Sequence, residues 1–242
     1  MKSKHTHSIA LRRRTQAGFT LIEIMVAVTI GLFIVLALTG VFINMKSAFT
    51  AQDQLSELQD SERLALTVLT TTVESAGYFP DPLASTATGN LPAGGAFADG
   101  QGIVGTTGAA PASDTLTTRY VSASGDGLVD CFGQTNTSGS KATFTNVFSV
   151  SANNELMCAA NGGTPTALIS NVSALSVLYG TDTSASGNAD RYLTATAVTN
   201  GSWWLQVRTA RITIRFLNPF AAQPGQPATI DVVQTVNLMN KS

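Results

Sequence analysis

Between Phe19 and Ile43 the chain reads FTLIEIMVAVTIGLFIVLALTGVFI, 25 residues whose only charge is Glu23. As a helix rising about 1.5 Å per residue, this run would cover roughly 37 Å, enough for the ~30 Å hydrocarbon core of a bilayer. It is too long for the apolar region of a secretory signal peptide, roughly 7–15 residues, and Asn44-Met45-Lys46-Ser47 supplies no small-residue cleavage site behind it. The run therefore predicts a membrane-spanning helix. Lys2, Lys4, Arg12, Arg13 and Arg14 precede it, and Lys46 is the single basic residue shortly after it. That asymmetry keeps the amino terminus in the cytoplasm and exports the bulk of the chain.

A carboxylate inside a spanning segment costs about 3 kcal/mol on insertion scales and calls for a partner, which makes Glu23 a candidate functional residue. The rest of the composition narrows the chemistry. The 242 residues are 12% charged with a net charge of −1, but five of the 14 basic residues sit in the leader, leaving 9 against 15 acidic residues beyond it. Such a balance argues against bulk nucleic-acid binding by counterion release, although a local basic patch is compatible with it. Both histidines, His5 and His7, also lie in the leader. Beyond it a Ser-His-Asp triad, a Cys-His pair and nearly every zinc site fall away, and no G-x-S-x-G nucleophile motif occurs. We expect no enzyme, no cofactor and no metal site.

Ala17-Gly18-Phe19-Thr20-Leu21-Ile22-Glu23, after a short basic leader, resembles the class III signal of type IV pilins and type II secretion pseudopilins. The resemblance implies cleavage by a prepilin peptidase between Gly18 and Phe19 and N-methylation of the new terminal Phe19. It also implies a role for Glu23 in subunit assembly, pairing with the Phe19 amine of a neighbouring subunit as helices bundle in a filament.

After the apolar run, residues 44–74 contain no proline or glycine and are rich in Leu, Ala, Gln and Glu, so the helix should continue to Ser75 or Ala76. Leu55, Leu58, Leu66, Leu69 and Val73 share one face, interrupted by Glu62, which predicts an amphipathic half packed on a head. Gly77, followed by Tyr78-Phe79-Pro80-Asp81-Pro82, supplies the stop. This stretch, with Glu62-Arg63-Leu64-Ala65-Leu66 and Glu74-Ser75-Ala76-Gly77-Tyr78, is similar to the minor pilins of the PilW type. The ending Val236-Asn237-Leu238-Met239-Asn240 is similar to their close as well, though Met239 stands where that pattern has arginine.

Residues 84–113 are Ala, Gly, Thr and Pro with few large apolar side chains and read as a long surface loop. Runs at 116–122, 143–150, 174–179 and 192–198 read as short strands separated by turn residues. In 210–217, Ile212, Ile214 and Phe216 alternate with Arg211, Thr213 and Arg215, so one face is core and the other solvent. Leu205 and Val207 have the opposite parity and require a bulge near Ala210 to come inside. A final strand over 230–238 buries Ile230, Val232, Val236 and Leu238.

The expected fold is α+β and pilin-like, a long N-terminal helix packed on an antiparallel β-sheet head. The expected division is a cleaved leader at 1–18, the membrane half of the helix at 19–43, its amphipathic half at 44–76, and a β-rich head at 77–242. Cys131 and Cys158, the two cysteines, lie on the exported side, where a disulfide is the economical reading. Asp126, Asp130, Asp182 and Asp190 sit in Gly/Ser-rich turns, where aspartate is an ordinary turn former, and we find no calcium-loop spacing among them. Arg208, Arg211 and Arg215, with Trp203 and Trp204 nearby, fit either a surface gripping DNA or another pilin, or a solvated strand face beside partly buried tryptophans.

The resemblance implies a structural minor pilin that helps prime pilus assembly. Its implied partners are other minor pilins, the major pilin, a PilY-type tip protein, the inner-membrane assembly platform and prepilin peptidase. The implied location is the inner membrane, single-pass with the head periplasmic, and then the extracellular pilus. A minor pseudopilin of type II secretion shares the leader and helix, and a filament-displayed adhesin or DNA-binding module is an alternative of a different class.

Overall fold

The computed structural model describes residues 18–109 and 112–238. The basic leader before Gly18, with His5 and His7, and the terminal Met239 and Asn240 lie outside the described residues.

Helix α1 (Leu21–Glu74) runs for 54 residues. The chain divides into two compact units, 1–53 and 54–242. In the first, none of the described residues is buried, and the apolar side chains from Leu21 to Ile43 are all exposed. The second unit holds the whole buried core. There α1 buries Leu58, Ala65, Leu69, Thr72 and Val73, with Leu66 half-buried against them. Leu55, expected on that face, is 45% exposed. The small side chains Ala65 and Thr72 carry the contact instead.

At the end of α1 Gly77 takes φ +81°, a left-handed conformation that only glycine adopts without strain. Its N–H donates to the Arg119 carbonyl at 2.8 Å, and the Tyr78 carbonyl accepts from Val121 N–H at 2.8 Å. The chain thus leaves the helix hydrogen-bonded to the edge of a strand. That strand is β2 (Thr115–Ser122), second in a five-stranded antiparallel meander with β1 (Ile103–Thr106), β3 (Ala142–Val150), β4 (Glu155–Ala160) and β5 (Thr166–Ser170).

Asn171, at φ +61°, is the one residue between β5 and β6 (Val172–Thr181), and there the chain passes into a second sheet. This sheet is also antiparallel, in the order β7 (Arg191–Leu193), β6, β8 (Val207–Leu217), β9 (Thr229–Asn237). The head therefore has two sheets, where the sequence led us to expect one. One cluster joins Leu69 and Val73 of α1, Leu116, Phe148 and Leu156 of the first sheet, and Val177, Ile212, Ile214 and Phe216 of the second.

Three expectations change at the level of elements. The run 192–198 is strand only through Leu193, after which Thr194 caps α3 (Ala195–Asn200), its Oγ1 accepting from the Ala197 N–H. A threonine cap here outweighs the β-propensity of the residues around it. The bulge exists but lies at Arg208, because the register passes from Gly180↔Thr209 to Thr181↔Val207. It buries Val207 together with Ala210, while Leu205 falls in a 3₁₀ turn (Trp204–Gln206) and stays 48% exposed.

The third change concerns 84–113, which is no plain surface loop. It contains α2 (Ala87–Asn90) and β1, and buries Leu91, Phe97, Gln101 and Ile103. Arg119 organises it. Its guanidinium, in a residue 5% exposed, donates to the carbonyls of Gln101, Pro92, Leu91 and Ala98 at 2.6–3.1 Å. One side chain supplies the donors that a segment poor in large apolar residues needs in order to pack.

Candidate assembly site

Gly18 and Phe19 precede α1 and are exposed. The helix begins with Thr20, whose Oγ1 accepts from the Glu23 N–H at 3.4 Å. In return the Glu23 carboxylate accepts from the Thr20 N–H and from its hydroxyl, each at 2.9 Å. This is a capping box: residue and counter-residue each satisfy amides that the first turn leaves open, with the negative charge at the positive end of the helix dipole. Glu23 thus has a partner in its own chain. The pattern Thr20-x-x-Glu23 was visible in the sequence as the spacing of such a box, yet the sequence reading gave Thr20 no role.

From Leu21 the helix carries an 18-residue stretch of mean hydropathy 2.8, none of it buried within the chain, so it is long and apolar enough to cross a membrane. Thr29 and Thr39 return their hydroxyls to the carbonyls of Met25 and Val35, which satisfies their polar atoms inside the helix. Glu23 remains the one charge on this surface. The site therefore consists of a free helix start, a carboxylate held at it, and an apolar cylinder with no partner in the same unit.

In the head, Cys131 and Cys158 form a disulfide, with Cα atoms 6.6 Å apart. It ties the β2–β3 connection to β4, and the Cys131 N–H donates to Asn146 Oδ1 at 2.9 Å. The four aspartates act on their own turns. Asp126 accepts from Ser122, Ala123 and Leu128, Asp130 from Phe132 and Gln134, and Asp190 from Thr183. Asp182 is nearly buried, which raises its pKa, but the N–H groups of Ser186 and Gly187 and the nearby Arg208 outweigh this and hold it below the usual carboxylate range.

The arginines of β8 do not form one unneutralised patch. Arg208 lies 3.6 Å from Asp182, Arg211 stacks 5.0 Å over the Tyr192 ring, and Arg215 makes a bidentate pair with Asp231 at 2.7 and 2.9 Å. Trp204 packs edge-on against Tyr179 at 4.8 Å and donates its Nε1–H to Thr199 Oγ1. The geometry is that of a solvated strand face beside half-buried tryptophans.

Comparison with known families gives two matches. The model of the prokaryotic N-terminal methylation motif matches residues 13–39, which include Gly18, Phe19 and Glu23. The model of type IV pilus-assembly protein W, or PilW, matches residues 134–226. The second match lies in the head, away from the helix exit and chain end where the sequence resemblance was read. No curated protein matches the chain. Among solved structures, a type IV-like pilin from Thermus thermophilus is similar, with a TM-score of 0.42 and 12% identity over 76% of this chain and 97% of that one. The apolar N-terminal helix therefore carries a match to the methylation motif, and part of the head is similar to the type IV pilus-assembly protein PilW.

Proposed function

We propose that the chain is a type IV pilus minor pilin of the PilW type, processed between Gly18 and Phe19, methylated on Phe19, and held in the inner membrane by residues 19–43 until it is drawn into a filament. In this reading 44–76 form the amphipathic half of the helix and 77–242 the periplasmic head. The observation that carries it is the position of Glu23, the only charge in the exposed apolar run from Phe19 to Ile43 and already bound at the helix start. On assembly Glu23 would exchange the Thr20 donors for the Phe19 amine of a neighbouring subunit, which offsets the cost of a carboxylate among apolar helices. Lipid contacts along the helix are replaced by helix contacts, and the charge pair helps to set the register.

The subunit acts by recognition and packing, priming the pilus together with other minor pilins, the major pilin and a PilY-type tip protein on the inner-membrane platform. The PilW match supports this pilus role over that of a type II secretion pseudopilin. Mass spectrometry of the protein from membranes tests the first step. An N-terminus at N-methylated Phe19 is expected, and a mature chain retaining residues before Gly18 would overturn the processing step.

A further inference from the structure

The second sheet ends on β9, and among the described residues nothing pairs with its outer edge. β9 runs beside β8 with no register shift from Thr209↔Asn237 to Leu217↔Thr229. The Leu238 N–H donates to the Arg208 carbonyl, which fixes the alternation along the strand. Ile230, Val232, Gln234 and Val236 turn their amides toward β8, whereas Thr229, Asp231, Val233, Thr235 and Asn237 turn theirs outward.

Natural sheets blunt such an edge with shortness, a bulge, proline or lysine. The other edge strands here follow that rule. β1 has 4 residues, β7 has 3, and β5 has 5 with a register break against β4. β9 has 9 residues, no proline, no lysine and no bulge. Its one charge, Asp231, is neutralised by Arg215, and Val233 at the middle of the strand is 54% exposed.

We propose that β9 pairs with β9 of a second copy of this chain, antiparallel about a two-fold axis at Val233. Three features of the strand select a second copy as the occupant. In this register Val233 meets Val233, Asp231 meets Thr235, and Thr229 meets Asn237, so each outward amide faces another outward amide. On the inner face Ile230 meets Val236 and Val232 meets Gln234, which carries the inner row, with Gln234 its one polar member, across the seam. The charges are complementary too. Arg211 is the cross-strand neighbour of Thr235, and Thr235 would neighbour the partner's Asp231, so opposite charges share one row and no like charges meet. The interface is isologous and closes as a dimer.

The compact unit 54–242, the head with the part of α1 that packs in its core, contains the disulfide and every core cluster among the described residues, so it serves as the head for the test. Analytical ultracentrifugation across a concentration series should show the wild-type head passing from monomer to dimer. Val233→Pro removes an outward N–H that makes no bond to β8, and Val233→Lys sets two like charges against each other on the two-fold axis. Each should weaken dimerisation by at least about tenfold without moving the unfolding midpoint. Should Val233→Pro fail to fold, Val233→Lys alone decides. A wild-type head that stays monomeric throughout, including one that accepts a strand only from a different protein, overturns the proposal. So does a dimer that neither substitution weakens.

Discussion

The Arg119 guanidinium lies 4.5 Å over the ring of Phe97, inside a ring of four backbone carbonyls from the segment it holds. Burial pulls its pKa below the usual arginine value, but the group stays charged because the starting value is so high. A charge in a strand therefore does the packing work that apolar side chains do elsewhere in the head.

Arg119→Met keeps the length of the side chain and strands the four carbonyls. It should lower the stability of the head by about 3–5 kcal/mol, within the range for breaking a buried charged network. Urea unfolding measures the loss, and limited proteolysis should cut first within 84–101. An unchanged midpoint would remove Arg119 from the role assigned to it.

Gly102 sits against the end of α1, where a Cβ would overlap the backbone of Gly77. Neither neighbour is a flexible side chain, so the strain must be taken up by shifting β1 or the helix exit. Gly102→Ala should cost about 1–3 kcal/mol as an overpacking substitution. A midpoint equal to wild type in urea unfolding would show that the two segments separate freely.

Closing a loop with a sequence separation of 27 residues, the Cys131–Cys158 bond should stabilise the head by about 3.5 kcal/mol in the chain-entropy model. The double variant Cys131→Ser/Cys158→Ser should lose that amount in urea unfolding and become insensitive to reductant. Equal midpoints for wild type with and without reductant would contradict it.

Two hydrogen bonds from Arg215, and the attraction of its charge, hold the Asp231 carboxyl below the usual carboxylate range. A carboxyl depressed by folding contributes its full stability above its unfolded pKa and loses it as pH falls through the lower folded value. Both side chains are about half exposed to water, so the effect is small. Asp231→Asn should lower the urea midpoint slightly at neutral pH, and the gap from wild type should close on acidification below the usual aspartate range. A gap that persists in acid would assign the loss to packing.

What was legible in the sequence was what periodicity and punctuation specify. Unbroken helix formers from Asn44 to Glu74 and the stop at Gly77 gave α1 almost to the residue, and the Ile212, Ile214, Phe216 alternation gave β8. The bulge was expected from the parity conflict and missed by two residues, because parity says that a residue is extra without saying which one. β4 and β5 went unseen, since Leu156-Met157-Cys158-Ala159-Ala160 and Thr166-Ala167-Leu168-Ile169 lack the alternation and β-branched content that mark a strand. The segment 84–113 was misread for a deeper reason. Its order comes from Arg119, which lies outside the segment, and no composition window includes both. In the assembly site Glu23 stood out because charge is rare in an apolar run, while Thr20 was hidden because threonine is common there.

The role of Glu23 in assembly is open to a complementation assay. A strain lacking the gene would carry either the wild-type chain or Glu23→Ala, with surface filaments counted and exoprotein secretion measured in the same cells. Wild type should restore filaments, whereas Glu23→Ala should be processed normally yet restore few or none, with secretion unchanged in both. A Glu23→Ala chain that enters filaments as well as wild type would contradict the role assigned to this carboxylate.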